Sequence, residues 1–438
     1  MTAEPSLKKK VVHGTVLVIA GQATSQILRL GGNLILTRLL FPDAYGLMTL
    51  VLVVVAGIKM ASDMGIRGSV IYHERGEDPA FLNTAWTLQI IRGVILWLAI
   101  AAVAWPVAAF YGKPELPGLL LIVGLSAIID GFASTSLLTL VRRISPARQV
   151  GLELGARTLS LGVMIAWAAI SPSVWALVAG ALAMSITMSI GSHLLIRGYA
   201  NRLMFDREAV KSLIHFGRWV LLSTILAFLL AQGDRVFLGK VLSSELLGIY
   251  SIAIIFSEGL LQPINVLAAR ILHPLYAKLG ERGSAELRAK MFQTRARLLA
   301  VSVPGVWVLA IFGQQIIEFL YDERYWQAGW MLRVLSVGVI GSILDATADR
   351  AILAFGDSLG YLNLQILRSV LLIAGMAVGF TLGGVLGLLV GLSCARLLAY
   401  IPLAFFLRRH GIWLPKLDLP VLAVSAVAIV SGTWVVAW

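Results

Sequence analysis

The sequence predicts an all-α polytopic membrane protein of about thirteen transmembrane helices, built as two six-helix lobes plus one C-terminal span. Three observations predict it. The residues Ala, Val, Ile, Leu, Met, Phe, Trp, Tyr and Cys make up 58% of the 438 positions before the 42 glycines are counted. Soluble domains reach about 45–50% with glycine included. Charged residues are 13% of the chain, and mean hydropathy is +0.87. A soluble fold cannot hide that much apolar surface without aggregating. The third observation is positional: the apolar residues fall into runs of roughly 20, the length that crosses a hydrocarbon core.

The runs are 15–39, 45–69, 83–110, 117–141, 149–169, 173–197, 213–240, 246–271, 295–320, 328–355, 361–382, 384–407 and 418–437. Turn chemistry separates several of them: Phe41-Pro42-Asp43, Gly112-Lys113-Pro114 and Ser171-Pro172-Ser173. Residues 361–407 are too long for one span, and Gly383-Gly384 is the natural break. Lys8-Lys9-Lys10 ahead of the first run resembles the start of a signal peptide. His13 and Gly14 interrupt that run, however, and apolarity continues to Leu40, so the first span is expected to act as the insertion signal itself. The expected organisation is a cytoplasmic segment 1–14, an N-lobe 15–197, a linker 198–212, a C-lobe 213–407 and a tail 408–438 carrying span 13.

The net charge of +13 sets orientation. With the N-terminus inside, nineteen Lys and Arg fall in cytoplasmic segments; the other side holds only Arg38, Lys113, Lys240 and Arg324. The basic excess is therefore topological, and no nucleic-acid partner is expected. The longest connection, 272–294, is too short for a catalytic domain. No HExxH, GxxxxGK[ST] or GxSxG pattern occurs, the six His are scattered and Cys394 is alone. An ATPase, a metal centre and a soluble-domain transferase are excluded on these grounds. That leaves transport, channel or structural roles, or an intramembrane enzyme, with a non-enzymatic role expected.

An internal repeat supports two halves. Arg38-Leu-Leu-Phe-Pro-Asp43-Ala-Tyr-Gly46-Leu-Met-Thr49 matches Lys240-Val-Leu-Ser-Ser-Glu245-Leu-Leu-Gly248-Ile-Tyr-Ser251 at an offset of 202. Base, acid, glycine and hydroxyl recur at the same spacing. Arg157 in span 5 and Arg368 in span 11 correspond at an offset of 211. Six spans return the chain to its starting side, so the halves run parallel, a repeat type that places substrate near the midplane around a central cavity.

At least fourteen ionisable residues fall inside the runs, among them Arg29, Lys59, Arg67, Arg92, Arg157, Arg235, Arg368, Arg396, Asp63, Asp130, Asp234, Glu258, Asp345 and Asp349. Each costs about 2.5–3.5 kcal/mol at a helix centre, so they face a protein interior or water, paired with one another or with substrate. Gln22, Gln26, Arg29 and Asn33 share one helix face. Lys59, Asp63 and Arg67 form a second stripe; Glu258, Gln262 and Asn265 form a third, with Pro263 in it. Arginine binds phosphate and carboxylate in planar bidentate geometry, so its excess among the deep cations suits an anionic substrate. The candidate substrate residues are Gln26, Arg29, Asn33, Arg92, Arg235 and Arg396. Asp130, Glu258 and Asp345 are the candidates for charge pairing or for carrying a coupling ion. Gly375, Gly379, Gly383, Gly387 and Gly391, each four apart, predict close helix–helix packing.

Leu36-Thr-Arg-Leu-Leu-Phe-Pro-Asp-Ala-Tyr-Gly46 resembles the segment after the first helix of Wzx-type oligosaccharide flippases. These belong to the superfamily that also contains multidrug/toxin exporters and the lipid II flippase. Asp63-Met-Gly65-Ile-Arg-Gly-Ser69 resembles the close of that family's second helix. Phe216-Gly217, Gly233-Asp234-Arg235-Val-Phe-Leu-Gly-Lys240 and Gly248-Ile-Tyr250-Ser resemble the start of its second half. The resemblance implies two six-helix lobes around a cavity and a polyprenyl-pyrophosphate-linked oligosaccharide moved across the bacterial inner membrane by alternating access. It implies an ion gradient, proton or sodium, in place of a bound cofactor. The implied partners are the lipid-linked substrate, membrane lipids and the polymerase and chain-length machinery of lipopolysaccharide or exopolysaccharide synthesis. A multidrug/cation antiporter of the same superfamily is the alternative. A lipid II flippase fits less well, because the first-helix face carries one arginine. A membrane glycosyltransferase fits less well again, because the outer loops are short.

Overall fold

The computed structural model describes residues 7–62, 70, 73, 75–142, 146–196, 200–217, 220–268, 272, 276 and 285–436. All regular structure among them is helical. The chain divides into two compact units: Met1–Phe228 with Arg235–Gly248, and Leu229–Asp234 with Ile249–Trp438.

The first unit starts with α1 (Leu7–Leu39) and α2 (Pro42–Ala61). Phe41 is extended and Pro42 occupies the first helical position, where its missing N–H costs nothing. α3 (Pro79–Tyr111) begins the same way: Asp78 caps it by accepting from the Ala80 N–H. It is followed by α4 (Leu116–Gly131), α5 (Ser136–Arg142), α6 (Pro146–Ile170), α7 (Val174–Leu194), the short α8 (Arg207–Gly217) and α9 (Val220–Val241). α3 lies along α4, α6 along α7, and α1 along α6.

The two repeat motifs meet each other within this unit. A Cβ on Gly46 would stand 1.8 Å from the Ser244 carbonyl oxygen, and one on Gly248 would stand 1.8 Å from that of Pro42. Residue i of one motif touches residue j of the other, and j touches i, the reciprocity of a two-fold contact. Glycine is required at both positions because backbone faces backbone.

The second unit holds most of α10 (Ser244–Gly259), then α11 (Leu261–Leu267), α12 (Ala285–Leu320), a 3-10 turn at Glu323–Tyr325, α13 (Gln327–Ala348) and α14 (Arg350–Ala354). α15 (Ser358–Leu398), α16 (Tyr400–Arg409) and α17 (Pro415–Val436) complete it. α13 is its centre. It is buried along most of its length, with Arg333 and Asp345 the charged exceptions, and its Val339, Ile340, Ile343 and Leu344 anchor a core with Leu299, Val306, Leu403 and Leu407. α15 is two helices. Gly383 and Gly384 leave helical geometry, and Gly384 sits at φ +57°. The chain turns back there, so Gly375 packs on Gly391 and Gly379 on Gly387, each against the other's carbonyl oxygen. The predicted glycine ladder is one hairpin seen from both arms.

All thirteen predicted runs are helical where described, but not uniformly. The fourth is broken at 132–135 and the tenth at Asp349. The eighth bends by 40° between α10 and α11. By length and apolar composition, eight helices among the described residues suffice to cross a membrane, or nine with the bent pair counted; 358–409 counts as one of the eight.

One ionic cluster was not expected. Arg295, at the start of the ninth predicted run, is fully buried on α12, and its Nη2 lies 2.8 Å from Oδ1 of Asp418, itself fully buried. Tyr400 donates to Asp418 at 3.0 Å, and Trp413 donates to Tyr400 at 3.0 Å. Arg295 Nε also donates to Thr347 Oγ1 at 3.3 Å, and the Tyr276 hydroxyl donates to the Thr347 carbonyl at 3.1 Å. Burial pushes the Tyr276 hydroxyl up to about 12, which keeps it a neutral donor.

Candidate functional site

In the first unit, α1 packs on α6 through Gly21, against Val150, and Gly32, against Leu161. The face carrying Gln26, Arg29 and Asn33 lies beside that seam. Arg29 is half-buried, and Asn33 is only 7% exposed. Gln26 Nε2 and Asn33 Nδ2 are buried amide nitrogens without an acceptor among the described residues. A buried amide left so is costly unless water or a ligand completes it. The polar stripe read from the sequence is therefore a surface with donors to offer.

A second group lies where α2, α3 and α4 meet. Lys59 Nζ is 2.8 Å from Asp130 Oδ2 and 3.2 Å from Ser126 Oγ. Arg92 donates from Nε to the Ser62 carbonyl at 2.8 Å and from Nη2 to the Lys59 carbonyl at 2.9 Å. It thereby satisfies carbonyls that the end of α2 leaves open. Lys59 and Asp130 remain 32% and 46% exposed, so their pair is open to water or ligand. Asp63 and Arg67, the rest of that stripe, lie outside the described residues.

The second unit pairs the other candidates. Glu258 sits in the last turn of α10, at the 40° bend. Its Oε1 is 3.7 Å from Nη2 of Arg396 on α15. Close crossing of α13 and α15, with Gly341 against the Arg396 carbonyl, sets the height of that arginine. One span earlier, on the first arm of α15, Arg368 reaches Asp345 at 2.7 Å and Asp349 at 3.3 Å, and it donates to Gln365 Oε1 at 2.9 Å. Two carboxylates thus share one guanidinium, and the group holds one surplus negative charge if both are ionised. Asp349 Oδ1 is a buried oxygen without a hydrogen-bond donor among the described residues. Asp234 accepts from the Tyr250 hydroxyl at 2.5 Å, and its neighbour Arg235 is half-buried in the first unit.

Asp349 and Gln365 were not among the candidate site residues. The spacing Asp345–Asp349, one helical turn, was a usable signal. The second unit also has an apolar groove of about 550 Å³ where α17 passes α13, α15 and α16, lined by Ile340, Ile401, Leu419, Leu422 and Ile429, with Tyr400 at one edge.

The family model described as "Polysaccharide biosynthesis protein" matches residues 35–329. The chain belongs to this polysaccharide biosynthesis protein family. The family match runs through both repeat motifs, the Lys59–Asp130 pair and Glu258. Among curated relatives, the lipopolysaccharide biosynthesis protein WzxC of Escherichia coli (strain K12) is 22% identical over 96% of this chain and 88% of its own. The succinoglycan biosynthesis transport protein ExoT of Rhizobium meliloti (strain 1021) is 24% identical over 70% of this chain and 62% of its own. Among solved structures, the lipid II flippase MurJ in an inward closed conformation aligns with a TM-score of 0.69 at 13% identity, covering 96% of this chain and 92% of that one. An inward-facing multidrug resistance MATE family transporter aligns at 0.65 and 17% identity, over 88% and 94%. These likenesses establish the polytopic membrane fold of this family member.

Proposed function

We propose that this family member is a flippase, moving a polyprenyl-pyrophosphate-linked oligosaccharide across the bacterial inner membrane by alternating access, for lipopolysaccharide or exopolysaccharide synthesis. The family match and the export and synthesis roles in the relatives' names support the reading. The single structural observation that carries it is the arrangement of intramembrane charge: arginines and lysines held ready by weakly held or shared carboxylates. Arg396 and Glu258 are 3.7 Å apart, longer than a tight ion pair. A pyrophosphate competes well for such an arginine, because it offers several acceptor oxygens where the carboxylate offers two. The apolar groove beside α17 suits an isoprenoid chain.

In this reading Arg29 holds the pyrophosphate or acidic sugars, with Gln26 and Asn33 donating to sugar hydroxyls. Arg92, Arg235 and Arg396 are further anion contacts. Asp130 and Glu258 release their cations to substrate. The lobes are 15–197 and 213–407, the N-terminus is cytoplasmic, and the polymerase and chain-length machinery receive the product. The protein makes and breaks no bond in its cargo, so no cofactor is needed; a proton or sodium gradient drives it.

The test is translocation of a polyprenyl-pyrophosphate-linked oligosaccharide in proteoliposomes, alongside Arg29→Ala. Export falls to background in the variant while its amount in the membrane is unchanged. Wild-type export by Arg29→Ala removes that residue from the site. Transport of organic cations that depends on Asp130, Glu258 or Asp345 and not on the arginines selects the cation antiporter instead, a reading that the likeness to the MATE transporter keeps in view.

A further inference from the structure

Between α7 and α8 the chain crosses the surface of the first unit as an extended strap, residues 200–206. It is fastened from one side. The N–H groups of Arg202, Met204 and Asp206 donate to Asn83 Oδ1, Thr87 Oγ1 and Thr84 Oγ1, at 3.0, 3.0 and 3.1 Å. Asn201 is held at its start by the hydroxyls of Ser134 and Thr135. The strap therefore has a fixed place: alongside α3, four to eight residues in, about 6–12 Å from the start of that helix at 1.5 Å per residue. Asn83 is where the apolar run of α3 begins. Trp86 stands at the same level, its ring against Phe132 and His193 at 6.4 and 6.3 Å. Aromatic side chains with a polar edge favour the membrane–water boundary.

The outward side of the strap is apolar and bare. Leu203, Met204 and Phe205 are 72%, 46% and 62% exposed. Three consecutive large apolar residues so exposed mark an interaction surface. α8 continues the pattern. Ala209 and Leu213 are buried against Val70, Phe81, Leu82 and Ala85, while Arg207 and Lys211, one turn apart, are exposed on the other face. Three local acids share one guanidinium: Arg75 lies 2.7 Å from Asp78, 2.9 Å from Asp206 and 3.6 Å from Glu208. Arg202, Arg207 and Lys211 form no ion pair with the described residues. An apolar edge at boundary depth, flanked by the exposed side chains of Arg202, Arg207 and Lys211, offers an anionic leaflet both acyl and phosphate contacts.

We propose that the strap 200–206 with α8 is a lipid-binding anchor: Leu203, Met204 and Phe205 enter the acyl boundary, and Arg202, Arg207 and Lys211 hold the phosphates of anionic phospholipids. The juxtaposition of exposed apolar side chains with cations, at a depth fixed by the Asn83, Thr84 and Thr87 bonds, carries it. The linker between the first six spans and the rest of the chain is then tied to leaflet composition.

The test uses the full chain in nanodiscs, either of phosphatidylcholine alone or of an equal mixture with phosphatidylglycerol. It reads depth and charge dependence without any transport assay, so its outcome is independent of the proposed substrate. With Cys394→Ala as background, nitroxide labels are placed through Phe205→Cys and, as a reference, Lys211→Cys. The label at 205 meets oxygen more often than a water-soluble nickel chelate; the label at 211 shows the reverse. Phosphatidylglycerol deepens the label at 205, and Arg202→Gln with Arg207→Gln and Lys211→Gln abolishes that deepening. Each cation contributes about fivefold in anionic-lipid preference. Free collision of the chelate with the label at 205 overturns the proposal, because the strap then lies in water. Shielding of that label from both reagents also overturns it, because protein then covers the strap. Depth that ignores phosphatidylglycerol overturns the assignment of the cations to phosphate.

Discussion

Arg295 and Asp418 are 123 residues apart in sequence and share one dry pocket in the second unit. Two charges taken out of water are costly, and what offsets the cost is the full set of bonds from Tyr400, Thr347 and the pair itself. Removing one member strands the other. Arg295→Met is therefore expected to destabilise the protein by about 3–5 kcal/mol, read as a fall in thermal midpoint in detergent. Adding Asp418→Leu to that variant restores most of the loss, since a well-packed apolar pair is often as stable as a buried ionic one. A double variant as unstable as the single one would show that the cluster positions α17 by more than charge balance. By contrast, Arg396 and Glu258 are neither fully buried nor tightly paired. That difference separates a fully buried, tightly bonded charge pair from a looser, partly exposed one.

At the scale of elements, the α15 hairpin rests on two glycine properties. Gly384 at φ +57° and ψ −134° occupies a region that a side chain makes costly by about 1–3 kcal/mol. The ladder behind it leaves no room for any Cβ: one on Gly379 would lie 2.1 Å from the Gly387 carbonyl oxygen. Gly384→Ala should lower the thermal midpoint more than Gly383→Ala, whose φ is −149°. Equal effects would mean that packing, not the turn, limits the hairpin. The strap and α8 respond to pH through their acids. The Arg75 guanidinium beside Asp78 and Asp206 holds both carboxyls below the ordinary carboxylate range, with the Ala80 N–H adding to the effect at Asp78. A carboxyl with a lowered folded value stabilises fully above its ordinary value and loses that contribution as pH falls through the lowered one. Amide exchange at 200–206 should therefore stay slow at neutral pH and quicken only in acid, below the usual carboxylate titration. Quickening near neutrality would place the fastening elsewhere.

For the whole molecule, the proposed ion coupling would act at the shared carboxylates of the second unit. Asp345, Asp349 and Arg368 carry two negative groups for one positive. In the proposed coupling, a bound proton or sodium ion would neutralise the remainder when both carboxylates are ionised, giving the differential affinity by which an ion gradient biases a conformational equilibrium. Asp349→Asn balances the charges without a cation. It is expected to abolish stimulation of translocation by an imposed proton or sodium gradient while downhill translocation continues. Gradient stimulation that survives in the variant would remove this group from coupling.

Much of this protein is local and so was readable along the chain. Helical membrane class follows from apolar runs of bilayer length. The α15 break follows from Gly383-Gly384, the glycine ladder from a four-residue period, and the doubled motif at Gly46 and Gly248 from spacing alone. The intramembrane charges were readable too, because each is an exception to its apolar run. Their partners were not. Arg396 meets Glu258, Arg92 meets the end of α2, Asp234 meets Tyr250, and Arg295 goes inside with Asp418. Periodicity assigns a residue to a face of its own helix. Which other helix that face meets, and at what height, depends on crossing contacts such as Gly341 against the Arg396 carbonyl, made between segments far apart in sequence. The cost of burying charge guarantees that each ion finds a partner; only tertiary packing selects which one.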